Sequence, residues 1–91
     1  MKQRLNRASR LYDTYHAVIE EGRAHGRNGW VTQSIVAHAM NLRPGCYVLG
    51  LLNELFRKGR LVRITTPLVN GSKRYEFQDA DYEGPGKVVN F

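Results

Sequence analysis

The segment with the least freedom in what it can fold into runs from Pro44 to Gly59. Proline fixes its own φ and pushes the preceding residue out of the helical region, so Arg43 is expected at the cap and Pro44 in the first turn of a helix. Val48, Leu51, Leu52 and Leu55 then recur every three or four residues, and Gly59 supplies a left-handed stop. The spacing predicts a helix over 44–58. At about 100° per residue, Cys46, Gly50, Asn53 and Arg57 fall on the side opposite the leucines. That side is small and polar. Past Gly59 the period changes: Leu61 and Ile64 are apolar, Arg63 intervenes, and Thr65 and Thr66 favour strands. Asn70-Gly71 is a strong signal for a type I′ hairpin turn, after which Tyr75 and Phe77 alternate with Arg74 and Glu76. Pro67 limits how far the first strand can pair.

Upstream, Ser9 is an N-cap type residue, and Leu11, Tyr15, Val18 and Ile19, with Tyr12 alongside, fall at helical spacing. Gly22 weakens the far end of this helix, and Gly26 with Asn28-Gly29 stops it in a loop. Trp30-Val31 reads as a short extended piece. Thr32 is a candidate cap for a short helix with Ile35, Val36, Ala39 and Met40 on one side, which Asn41 terminates. The expected order is helix, short strand, helix, helix, hairpin, an α+β fold. The 91 residues leave no room for two separately packed cores.

Where the charge sits narrows the class of partner. The formal charge is +6, with 14 Lys+Arg against 8 Asp+Glu. Residues 1–10 carry Lys2, Arg4, Arg7 and Arg10 and no acid, residues 1–8 read as a basic N-terminal arm, and residues 79–91 form an acidic tail. The body between them is basic, chiefly in 31–60 and 61–78, so the excess suits a polyanion. A 42% hydrophobic content argues against simple disorder. One cysteine forbids an internal disulfide, and no stretch approaches the roughly 20 apolar residues that span a bilayer. A cytoplasmic protein without membrane association is the expectation.

Together, Trp30-Val31-Thr32, the Leu42-Arg43-Pro44-Gly45 turn, and the run from Val48 through Leu55 and Gly59 to Leu61-Val62 resemble a winged helix-turn-helix domain. The resemblance covers 9–78 and is nearest to small bacterial or bacteriophage regulators. It implies three helices, a short strand between the first two, and a C-terminal β-hairpin wing. It further implies a double-stranded DNA-binding regulator of transcription with helix 44–58 in the major groove and the 69–74 wing on the backbone. Arg43, Cys46, Tyr47, Gly50, Asn53 and Arg57 would face DNA, with Lys73 and Arg74 at the wing. Asn pairs with adenine and Arg with guanine or phosphate, while Gln33 and Ser34 offer donors to a phosphate.

A second class stays open. Glycine inside a helix costs about 1 kcal/mol relative to alanine, so either something approaches the Gly50 backbone closely or the residue is tolerated. If Leu49 and Phe56, at the edge of the buried sector, were exposed, the face would suit a protein partner or a homodimer contact better than a base pair. That alternative is a small phage inhibitor or adaptor acting on a host protein or nucleoprotein complex. An RNA or ribosome binder is a third reading.

Catalysis is not expected. His16, His25 and His38 with Cys46 match no metal-ligand spacing, so no metal or cofactor is implied. Cys46 is a small side chain before it is a redox switch. Asp13, Glu20 and Glu21 read as solvated charges, and Tyr12 and Tyr15 as core residues. The tail, with Gly84-Pro85-Gly86, reads as an exposed loop from which Val88, Val89 and Phe91 dock back or meet a partner.

Overall fold

In the computed structural model, which describes residues 6–24 and 28–83, the first helix α1 (Arg7–Ala24) opens at Asn6 instead of Ser9. The Asn6 Oδ1 accepts the Ser9 N–H at 2.8 Å, satisfying one of the orphan donors of the first turn. Ser9 therefore lies inside the helix, and Arg7 belongs to it and not to an arm. Leu11, Thr14, Ala17 and Val18 form the buried side, and Thr14 is fully buried because its hydroxyl donates to the Arg10 carbonyl at 2.7 Å. Tyr12 is 64% exposed and lies against His16 one turn on, so it is not a core residue.

Strand β1 (Val31–Thr32) leads directly into α2 (Gln33–Ala39), where the Thr32 side chain accepts the Ile35 N–H. Val36 and Ala37 are the buried residues, while Ala39 is exposed. Asn41 stops the helix with φ 58, and the Leu42 and Asn41 N–H groups return to the Ala37 and His38 carbonyls. That is the paired bonding of a Schellman turn.

Helix α3 (Cys46–Arg57) begins two residues later than the proline implies. Gly45 is the cap residue, and its N–H donates to Gln33 Oε1 at 2.8 Å. Pro44 and Arg43 precede the helix. Val48, Leu51, Leu52 and Leu55 are buried, and at the far end Gly59 (φ 78) closes a second Schellman turn through bonds to the Phe56 and Leu55 carbonyls.

Strands β2 (Leu61–Pro67) and β3 (Lys73–Asp79) pair antiparallel, and β3 lies between β1 and β2. Val31 and Arg63 flank Phe77 in register, and the Phe77 ring is fully buried. Alternation puts Leu61 and Arg63 on the core side and turns Ile64 outward, where it is 42% exposed. The turn is not the two-residue type I′. Only Gly71 takes positive φ (87); the Gly71 N–H reaches the Leu68 carbonyl, and the Leu68 N–H reaches that of Ser72. Asn70 spends its side chain locally instead, accepting from the Ser72 N–H and hydroxyl at 3.1 and 2.6 Å.

The core lies between α1, α2, α3 and the inner face of the sheet. This is a small α+β fold of three helices and a three-stranded antiparallel sheet, compatible with a winged-helix layout. No described helix is long and apolar enough to cross a membrane. The Gly84-Pro85-Gly86 segment and Val88, Val89 and Phe91 lie outside the described residues, as do residues 1–5 and His25.

Candidate functional site

Two features define the candidate surface: the outer face of α3 and a hairpin that extends away from the core. Cys46, Tyr47 and Arg57 on α3, and Arg43 just before it, are exposed. Gly50 and Asn53 are half-exposed between them. A Cβ built at Gly50 meets nothing within 4 Å, so no contact inside the molecule requires glycine there. Ser34 is exposed, but the Gln33 side chain is committed to holding the start of α3 through Gly45.

The hairpin is only half supported. Leu61 and Phe77 anchor its base in the core, yet every residue from Ile64 to Arg74 is exposed. Lys73 and Arg74 sit on this projecting part, and Arg74 lies 3.9 Å from Glu76.

Arg63 connects the helix to the hairpin, and the sequence reading did not single it out. Its Nη1 donates to Asn53 Oδ1 at 2.9 Å, and its guanidinium lies 4.3 Å from the Phe56 ring centroid and 5.3 Å from that of Tyr75. Stacking on two aromatic faces suits a planar cation. Asn53 thus bridges to the hairpin instead of standing alone on the helix face. The signal was the two-residue alternation from Leu61, which places Arg63 on the side of the sheet that meets α3. Leu49 and Phe56 are partly buried and pack against the core, so they do not ring the site with exposed apolar surface.

The stretch of chain that builds this surface is basic. Between Glu54 and Glu76 the chain carries Arg57, Lys58, Arg60, Arg63, Lys73 and Arg74 and no acid. Glu54 is itself neutralised: Arg7 donates to it at 3.0 and 2.7 Å and Lys58 lies 3.5 Å away. The Arg7 hydrogen bonds, with the charges of Arg7 and Lys58, hold its carboxyl below the ordinary value.

Arg60 lies in a different cluster, its guanidinium 5.9 Å from the Tyr15 ring centroid with the charges of Asp79 and Asp81 also acting on that ring. The Tyr15 hydroxyl donates to Asp79 Oδ1 at 2.7 Å, and this bond, followed by desolvation and the charges of Asp79 and Asp81, pushes the Tyr15 pKa up to about 12. Asp79 thus belongs to β3 and braces α1, instead of starting a detached tail. Replacing Tyr15 with Phe is expected to cost about 1 kcal/mol in urea unfolding at neutral pH. The folded pKa is raised, so the contribution of Tyr15 is present in full below pH 10.0 and is lost as pH climbs through about 12. The stability gap between the two proteins should therefore close over that window; a gap that persists above it would contradict the role. Nearby, a cleft of about 520 Å³ is lined by residues including Gly22, Arg23, Asp79, Asp81 and Tyr82. Among the described residues no group of three His, Cys, Asp or Glu side chains is set to hold a metal ion.

No family model, curated protein or solved structure matches the chain.

Proposed function

We propose that the chain is a winged-helix regulator that binds double-stranded DNA, with α3 in the major groove and the β2–β3 hairpin, its wing, along the backbone. The observation that carries this reading is the Arg63 link between the outer face of α3 and the projecting hairpin that bears Lys73 and Arg74. Asn53 on the outer face of α3 accepts from the half-buried Arg63 of β2, and the outer half of that hairpin is wholly exposed. A helix fits the major groove, and exposed cations on a projecting hairpin reach phosphates beside it. Under this reading Arg57 and Tyr47 meet base edges, Gly50 lets the helix backbone approach closely, and Arg43, Lys73 and Arg74 position the chain on phosphates. A bacterial or bacteriophage source and a cytoplasmic site of action accompany the same proposal.

One observation favours a protein partner instead: Tyr47, Ile64, Leu68 and Val69 are exposed large apolar or aromatic residues. A salt titration of binding to duplex DNA separates the readings. If Arg43, Lys73 and Arg74 each neutralise one phosphate, the log–log slope should be near −2.7, as roughly −0.9 per contact. No binding at low salt, or a slope shallower than about −2, sinks the DNA proposal. Preference for duplex RNA in the same titration would move the assignment to RNA.

A further inference from the structure

The two most conspicuous apolar side chains on the surface sit at the end of the hairpin. Val69 is 109% exposed and Leu68 is 43% exposed. Turn tips ordinarily carry polar residues, and nothing in the fold requires these two. The tip is nevertheless built. Bonds from the Leu68 N–H to the Ser72 carbonyl and from the Gly71 N–H to the Leu68 carbonyl, 2.9 and 3.0 Å long, fix the loop. Asn70 Oδ1 ties down Ser72 twice, and Gly71 takes the positive φ the turn needs. Two apolar side chains are thus held in a defined place, beyond the core, with Lys73 and Arg74 beside them on the returning strand.

From this we infer that Leu68 and Val69 form an apolar wedge that enters the minor groove and unstacks a base step, bending the duplex. The inference rests on the duplex-binding reading above. A polyanion with an apolar slot is what the combination of neighbouring cations and a dry tip matches, and stacked bases between phosphate rails supply both. The groove geometry agrees: a minor groove about 6 Å wide excludes a helix but admits the tip of a tight turn. Unstacking costs free energy, which burial of the two side chains offsets. Flexible TpA steps are where that cost is lowest.

The test uses the whole chain and a duplex of about 30 base pairs containing repeated TpA steps, with 2-aminopurine at those steps and a fluorophore at each end. Binding is read by anisotropy, unstacking by 2-aminopurine emission, and bending by energy transfer between the ends. On saturation the native chain should raise both emission and transfer. The Leu68→Ser, Val69→Ser double variant changes only exposed side chains, and circular dichroism checks its fold. It should bind about tenfold more weakly and, at saturation, leave both signals at the level of free duplex. Binding by the native chain without either signal overturns the wedge and leaves the duplex reading standing. Full signals from the double variant do the same. No binding by the native chain at low salt overturns both, and directs the exposed tip to a protein partner.

Discussion

Replacing Lys73 and Arg74 together with glutamine is expected to weaken binding to duplex DNA about 60-fold at about 0.1 M salt. Each phosphate contact contributes roughly −0.9 to the log–log slope, so a decade below 1 M salt it is worth about eightfold, and two contacts multiply. The slope should become shallower by about 2, and the loss should be the same on every sequence, because phosphate carries no sequence information. Both side chains are exposed and belong to no part of the core, so the variant should fold as before. The 3.9 Å separation of Arg74 from Glu76 is too long to hold the guanidinium back from a phosphate. Arg57→Ala is the contrast: on the outer face of α3 it should reduce discrimination between sequences. Unchanged affinity and slope in the glutamine variant would remove the hairpin from the proposed interface.

The parts of this fold that the sequence makes legible are those set by local periodicity and chain punctuation. The leucine stripe of α3 and its glycine stop depend only on residues within a few turns of one another, and they are found as expected. The start of α3 is different. Pro44 is a good first-turn residue, but Gly45 takes the cap with φ 155, and its N–H is satisfied by a Gln33 side chain twelve positions upstream. No local rule sees that partner. The hairpin shows the same limit. Asn70-Gly71 signals a turn, but the Asn70 side chain bonds Ser72, leaving only Gly71 at positive φ.

The candidate surface divides along the same line. Helical spacing finds the outer face of α3, and adjacency to the turn finds Lys73 and Arg74. Arg63 escapes because an arginine in a strand reads as solvent-facing. Its role depends on Phe56, Tyr75 and Asn53 arriving together from two other elements. The half-burial of Phe56 and Leu49 likewise depends on how closely α3 lies to the rest of the core.

The same substitution in two helices should produce opposite effects. Alanine has a helix propensity about 1 kcal/mol better than glycine, so by propensity alone both Gly22→Ala and Gly50→Ala would stabilise the fold. At Gly50 that expectation stands, since an added Cβ meets nothing within 4 Å. At Gly22 packing wins. A Cβ there would lie 2.7 Å from the Gly29 carbonyl oxygen and 3.1 Å from the Gly29 carbonyl carbon and Cα. Gly29 has little room of its own, because a Cβ built on it would meet the Tyr82 ring at 2.6 Å, and its φ is +81. Two residues further on, Val31 pairs with Phe77 at the centre of the core, so a displaced Gly29 disturbs the strand that follows. Overpacking of this kind costs about 1–3 kcal/mol, which should lower Tm by about 10 °C in a chain of this size. The Gly50→Ala protein should instead gain about 0.5–1 kcal/mol and lose affinity for duplex DNA, because the added methyl group stands where the helix backbone would approach the groove. Thermal melts of both proteins, with binding measured for the second, decide the matter. A stabilised Gly22→Ala protein would show that the α1–Gly29 contact is not close, and a Gly50→Ala protein that binds as tightly as the native chain would move the interface away from the middle of α3.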